Sequence, residues 1–232
     1  MKVPAPLILV SLTLLAVSFS QAEPSPGVHP TAGTPVPGDP RPPVSSPAAD
    51  IESALLLAAP TMRPEALHAA LESWQALQGR REIVRPLLSV IDYSLPSTAK
   101  RMWVFDLTAR RLLFHEPVSH ARGSGENVAQ SFSNEEGSLM TSLGAFLTGA
   151  TYVGRNGYSL RLHGLEPGVN DRAEARAIVV HGAPYVSEEF ARKVGRLGRS
   201  HGCPALRPAI ARTLIDLIKE STLLYAWHPS KA

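Results

Sequence analysis

The stretch Gly198–Leu206, GRSHGCPAL, holds the only cysteine of the chain, Cys203, two residues after His201 and between Gly202 and Pro204. A thiol in this setting is a buried filler, a metal ligand or a nucleophile. Nucleophilic thiol catalysis needs a base within reach, donors for a developing oxyanion, and room for a carbonyl to approach. Gly202 has no side chain and leaves that room. Pro204 has no N–H, so an oxyanion hole here would draw its backbone donors from Cys203 and Gly202, never from residue 204. Two histidines qualify as base. His201, two positions from the thiol, would point to the same side on an extended backbone. His181 ends the apolar run RAIVV and precedes Gly182, where a strand meets a loop and sites are commonly built. No acidic residue adjoins His181, so a backbone carbonyl such as that of Gly182 is its expected orienting acceptor. Zinc is the competing reading: His181, His201 and Cys203 give three ligands, and a closed structural site would need His163 as the fourth. A thiol mechanism needs no metal or organic cofactor, and none is expected.

The compartment decides how much a lone thiol means. Lys2, an apolar run from Leu7 to Val17 and the small residues of Ser20-Gln21-Ala22 have the layout of a secretory signal peptide at 1–22, cleaved after Ala22. That run is shorter than the roughly 20 residues a membrane-spanning helix requires. The mature protein is therefore expected to be exported, periplasmic or secreted, with no stable membrane insertion. One unpaired cysteine in an oxidising compartment cannot form an internal disulfide, which favours chemistry over packing. Residues 23–49 are proline-rich and read as an extended, disordered linker. The balance of 23 Lys+Arg against 20 Asp+Glu is mildly basic, which suits a carboxylate-bearing substrate. Dense basic runs with interleaved aromatics are missing, which excludes a nucleic-acid partner.

The elements that must position Cys203 and His181 follow from periodicity. Residues 50–85 read as an N-terminal helical segment, with Leu67, Leu71, Trp74 and Leu77 at helical spacing and Pro64 in a first turn. Short strands follow at 87–94, 101–108 and 111–120, the last two as a hairpin. TSLGAFLTG, TYVG, YSLRLHGL and RAIVVHG continue the series with glycine punctuation. Helices are expected at 186–197 and 208–220, and a closing strand at 222–227. The result is a single, mainly β domain over 86–228 with peripheral helices.

The motifs in order are IDYSLPS (91–97), FSNEEGS (132–138), SLGAF (142–146), HGAPYV (181–186) and SHGC with GCPAL (200–206). Papain-like cysteine peptidases place the base histidine well after the cysteine, whereas here only His228 follows Cys203. The His-before-Cys order with these motifs resembles the L,D-transpeptidase (YkuD-like) family that remodels bacterial peptidoglycan. The resemblance covers about 90–228. It implies a YkuD-like β-sandwich or barrel, with Cys203 as nucleophile and His181 as general base and acid. Gly182 would supply the carbonyl that orients His181, and Ser200, His201 and Gly202 would shape the loop behind the thiol.

The implied reaction starts with a Cys203 thiolate, its pKa lowered by His181, attacking the L-centred carbonyl at the third residue of a stem tetrapeptide. A thioester forms, and an amine from a second stem resolves it into a cross-link between third residues. Water in place of the amine would make the enzyme an L,D-carboxypeptidase. The partners implied are peptidoglycan stem peptides. Pro204-Ala205 stand where the family motif usually has an apolar residue and asparagine, so the loop's supporting hydrogen bonds must come from other residues.

Arg192, Lys193, Arg196, Arg199, Arg207 and Arg212 lie in a stretch with no acid between Glu189 and Asp216. Most read as solvated helix faces. Arg199, beside the loop, is the candidate for holding a stem carboxylate. Tyr185 is a candidate cleft residue or an ordinary packing aromatic. From another functional class, the chain could be a peptidoglycan-binding scaffold with a vestigial site. Labelling with a carbapenem separates the two, because only a reactive Cys203 would gain stable mass.

Overall fold

Apolar residues run almost unbroken along 87–92, 102–106 and 223–227, so these strands must be covered on both faces. A computed structural model of the protein describes residues 47–231 apart from Arg81. The expected signal peptide, and the linker up to residue 46, lie outside the described residues. Within them the order is α1 (Pro47–Ala58), α2 (Pro64–Gly79), β1 (Leu87–Asp92), β2 (Met102–Asp106), β3 (Arg111–Glu116), β4 (Gly144–Gly154), β5 (Gly157–Gly164), β6 (Val179–Gly182), α3 (Glu188–Val194), β7 (Ala205–Leu206), α4 (Pro208–Ile218) and β8 (Leu223–Trp227).

The eight strands form one mixed sheet in the order β3-β2-β1-β8-β4-β5-β6-β7. The β1–β8 and β6–β7 pairs are parallel and the others antiparallel. Alternation sorts the core into two clusters. Leu88 and Val90 of β1, Trp103 and Phe105 of β2, and Leu223, Tyr225 and Trp227 of β8 join α1 and α2. Their strand neighbours Ile91, Met102, Val104, Leu224 and Ala226 face the other way and join α4. One helical layer alone would leave half of this surface in water.

The mainly β class with peripheral helices is what the patterning led one to expect. Boundaries differ in instructive ways. Helix α1 starts at Pro47, inside the stretch read as linker. The segments TSLGAFLTG and TYVG merge, from Gly144 on, into one strand, β4, with an irregularity between Thr148 and Thr151. Strand β3 stops at Glu116, and the residues after it leave the sheet edge to meet the Cys203 loop. Helix α3 has only seven residues and no buried side chain. Strand β7, two residues long, was not anticipated at all.

On α4, Ala211, Leu214, Ile215 and Ile218 are buried against the sheet, while α1 carries Leu57 outward, 85% exposed. Leu214→Ala is expected to lower unfolding stability by about 2–5 kcal/mol, because α4 and the sheet cannot fully collapse into the space. Leu57→Ser should change it by less than about 0.5 kcal/mol. Urea unfolding of the two variants checks both numbers, and equal losses would contradict the packing described.

Candidate active site

Strand β7 places the thiol. Ala205 and Leu206 pair in parallel register with His181 and Gly182. A parallel ladder holds equal offsets side by side, so Cys203, two residues before Ala205, falls beside Val179, two residues before His181. The contacts agree: Val179 N–H donates to Cys203 Sγ at 3.5 Å, and Sγ lies 3.7 Å from Ala177 O. A second segment, 118–124, holds the loop from the other side. Ser119 N–H donates to Ala205 O, Ser200 N–H to His120 O and Arg122 N–H to Ser200 O. Ala205 N–H donates to Ser119 Oγ at 3.3 Å. Ser119 and Ser200 thus supply loop hydrogen bonds that the motif, with Pro204-Ala205, had to find elsewhere.

Inside the loop, Ser200 Oγ donates to Cys203 O at 2.6 Å and accepts from Gly202 N–H at 3.2 Å. Of the two amides expected to face an oxyanion, that of Gly202 is therefore engaged by Ser200. Gly202 has φ +149°, and a Cβ there would come within 2.3 Å of Ile178 Cδ1. Glycine is required at 202 on both counts. His201 is exposed and makes no hydrogen bond or ion pair among the described residues. The loop-shaping work falls to Ser200 and Gly202, because His201 turns out toward solvent.

His181 is 6% exposed and lies on β6 between Ser159 of β5 and Ala205 of β7. Its Nδ1 pairs with Gly182 O at 3.0 Å. A neutral imidazole donating from Nδ1 keeps its lone pair on Nε2, the form a general base needs. Burial lowers its pKa from the ordinary histidine value, with the Gly182 carbonyl opposing. The thiol moves the other way. Cys203 is 8% exposed, and burial raises its pKa, against smaller lowering by Val179 N–H and Arg176. A resting thiolate with its pKa lowered by His181 is therefore corrected to a neutral thiol beside a neutral imidazole. Desolvation disfavours both charged forms in the same buried place.

Cys203, His181, Gly182, Tyr185, Arg199, Ser200 and His201 all line one open cleft of about 540 Å³, joined by Ala183, Pro184, Arg155 and Asn156. Tyr185 stands over Gly198, where a Cβ would come within 2.3 Å of its own Cβ. Burial, and next the neighbouring Cys203 sulfur, push the Tyr185 hydroxyl up to about 12. Arg199 is less free than its position in the sequence implied. Its Nη1 donates to Glu126 Oε1 at 2.7 Å and Gly125 O at 2.9 Å. Glu126 also takes Arg196, Arg207 pairs with Glu116, and Arg192 lies 3.7 Å from Glu188. Arg212 lies over the Tyr158 ring. Acids distant in sequence thus answer Arg196, Arg199 and Arg207, and Glu188, one turn earlier, answers Arg192.

Sequence reasoning missed Arg155 and Asn156. They form the tip of the β4–β5 hairpin, closed by Gly154 opposite Gly157, whose φ is +74°. Arg155 is exposed and has no ionic or hydrogen-bond partner among the described residues. The dipeptide Arg-Asn between glycines signals a turn, but nothing in it signals which cleft the turn overhangs. His163, the fourth ligand of the zinc reading, instead pairs with Glu174 at 3.1 Å. Among the described residues no group of three or more His, Cys, Asp or Glu side chains could hold a metal ion.

Beneath the loop is a buried polar pair. Arg101 Nη2 meets His120 Nδ1 at 2.8 Å, and His120 Nε2 faces Gly125 O at 3.3 Å. Arg101 also donates twice to Val118 O and once to Leu95 O. Burial, and then Arg101, hold the His120 pKa down to about 4. Unfolded, the same residue titrates near its ordinary value, so between those two pH values the unfolded chain binds more protons and stability falls as pH falls. The shift is worth up to about 3 kcal/mol. Urea unfolding at pH 7 and pH 4 should show a smaller loss for His120→Gln than for the parent; equal losses would contradict this.

Comparison with known proteins adds the family. The model of the L,D-transpeptidase catalytic domain matches residues 58–227. A search of curated proteins finds no match. Among solved structures, an L,D-transpeptidase from Mycobacterium smegmatis is similar at 17% identity and TM-score 0.38, over 62% of this chain and 59% of that one. L,D-transpeptidase 1 of Mycobacterium tuberculosis is similar at 16% identity and TM-score 0.36, over 62% of each chain. The helical cell shape determining protein Pgp2 from Campylobacter jejuni is similar at 15% identity and TM-score 0.40, over 60% of this chain and 46% of that one. The chain spans less than two thirds of the length of each. With the family model matched over most of its length, the chain belongs to the L,D-transpeptidase catalytic domain family.

Proposed function

We propose that this protein is an exported, cysteine-dependent L,D-transpeptidase that acts on peptidoglycan stem peptides through a thioester acyl-enzyme and joins third residues. The observation that carries the reading is that Cys203 and His181 line the same open cleft, with His181 fixed by Gly182 O in the tautomer of a base. Because both groups rest neutral, attack and proton transfer go together: Sγ bonds to the carbonyl carbon as its proton passes to His181 Nε2. Collapse of the tetrahedral intermediate breaks the C–N bond, and the His181 proton goes to the departing amine of the fourth residue. An acceptor amine, or water, then attacks the thioester with His181 as base, and the sulfur leaves and recovers its proton. The Cys203 amide is the backbone donor proposed for the oxyanion, since that of Gly202 is occupied.

Arg155 is the proposed contact for a stem carboxylate, because its guanidinium has no partner among the described residues whereas Arg199 is already held by Glu126. Among the described residues no carboxylate lines the cleft, which favours an anionic substrate. The export part of the proposal rests on the leader at 1–22. Amino-terminal sequencing of the extracytoplasmic protein should start at Glu23, and a retained Met1 there would refute it.

The chemistry is tested by following carbapenem adduct mass and turnover of defined tetrapeptide muropeptides. Cys203→Ala should abolish both. His181→Ala should nearly do so, and the double variant should be little worse than either single one, as for groups that act as a unit. His201→Ala should keep measurable acylation. Arg155→Ala should raise KM for tetrapeptide stems and leave kcat within about twofold, as loss of uniform binding does. Near parental acylation in His181→Ala with a dead His201→Ala would reverse the base assignment. Release of free tripeptide stems in place of cross-linked dimers would make water the acceptor.

A further inference from the structure

A charged side chain also approaches the nucleophile loop from behind, away from the cleft that Arg199 and Arg155 line. Arg176 follows the 166–175 turns and precedes Ala177, whose carbonyl touches the thiol. Its Nη1 donates to Ser133 O at 2.6 Å and to Ser142 Oγ, and its Nη2 donates to Met140 O at 2.6 Å and Ser138 Oγ at 3.2 Å. A Cβ on Gly202 would stand 3.8 Å from Arg176 Nη2 and 3.7 Å from Met140 O. The guanidinium therefore sits between the 133–142 loop and the backbone that carries Cys203.

The acceptors are what set Arg176 apart. All four are carbonyl or hydroxyl oxygens, and the nearby Glu135 is paired with Arg172 at 2.6 Å. Arg172, Arg196, Arg199 and Arg207 each have a carboxylate partner. A carboxylate cancels a cation's field a short distance away, whereas neutral oxygens hold the cation without cancelling it. Ala177 reinforces the placement. It adopts φ +53°, a left-handed conformation unfavourable for alanine, held by Ala177 N–H to Glu174 O and Ile178 N–H to Ala173 O. Strain of this kind persists only where the surroundings enforce it.

We propose that Arg176 is a positioning residue of the Cys203 thiol: it fastens the 133–142 loop to the back of the nucleophile segment and supplies an uncancelled positive charge to the sulfur. Tyr93 and Tyr185 also act on the sulfur and His181 lines the same cleft, all neutral at rest, so Arg176 is the charged group that acts on it. Glu135 acts on Arg176 from the loop side, weakened by its own pair with Arg172. The inference rests on Cys203 being the reacting thiol of the proposed enzyme.

The test is alkylation of Cys203 by iodoacetamide, a neutral probe, in the full chain as a function of pH, with thermal unfolding alongside. Arg176→Gln should move the midpoint to higher pH and slow alkylation at pH 7 about tenfold. Arg176→Lys keeps the charge and loses loop hydrogen bonds, so it should unfold at lower temperature with a midpoint near the parent's. Ser138→Asp sets a carboxylate against the guanidinium and should raise the midpoint while Arg176 stays in place. Ser142→Ala, which removes one clamp, should lower Tm alone. If Arg176→Gln does not fold, Ser138→Asp decides. A parental midpoint in Ser138→Asp, or a midpoint in Arg176→Lys raised as far as in Arg176→Gln, would overturn the proposal. Failure of the functional reading looks different: the variants shift alkylation as stated, yet the parent forms no carbapenem adduct and turns over no muropeptide.

Discussion

The two-residue pairing of β7 with β6 is the contact from which the site's geometry follows. Two residues of ladder would fray if left alone. This pair persists because Ala205 and Leu206 are fully buried and held from both sides, by Ser119 on one and by the His181–Ala183 backbone on the other. Two residues on, Pro208 opens α4, and that helix lies so close that a Cβ on Gly182 would be 3.0 Å from Ala211 Cβ. Docking of α4 on the core, β7 register and the position of the thiol are thus one cooperative arrangement. A slip of one residue in β7 would turn Cys203 to the opposite face, since side chains alternate along an extended chain.

The buried polar groups below the loop serve the same constraint at some energetic cost. Arg101 is fully buried with no carboxylate hydrogen-bonded to it; two carbonyls, His120 Nδ1 and the Tyr93 ring, 5.1 Å away, satisfy it. Burial holds its pKa down to about 10. Apolar side chains of similar size would stabilise such a core at least as well. What they would lack is direction, and Arg101 fixes the 118–120 backbone whose carbonyls and amides pair with Ser200 and Ala205.

Much of this was legible in the sequence, for physical reasons that differ by element. Helix α2 was readable from Leu67, Leu71, Trp74 and Leu77, because one buried stripe demands that spacing. The β2–β3 hairpin was readable because two short apolar runs, Met102–Phe105 and Leu112–Phe114, flank a short connection. Cys203, His181 and Gly182 stood out as types that carry chemistry beside a strand end. Strand β7 was hidden, since two residues carry no period. The engagement of Arg199 and the freedom of Arg155 were hidden too, because Glu126 and the hairpin tip reach their places only through the tertiary fold. Ionisation was read with the wrong sign. A histidine on the neighbouring strand suggests a lowered thiol pKa, but burial acts on both groups, and at the thiol it outweighs the lowering by Val179 N–H and Arg176.

That sign has a consequence for a lone cysteine in the oxidising compartment proposed here. Oxidation and disulfide exchange go through the thiolate and require access. Cys203 rests protonated and nearly buried, with its sulfur against Ala177 O and Val179 N–H, so both routes are slowed while the cleft is empty. The reaction we propose needs only a transient ionisation, formed as Sγ bonds to the substrate carbonyl and its proton passes to His181. Burial by itself would make that step too costly. His181, as acceptor on the cleft side, and Arg176, as cation behind the loop, bring it back within reach. In the proposed mechanism the apolar setting of the thiol and the polar groups around it form one device: the first keeps Cys203 protonated, and the second lets a bound substrate draw the proton away.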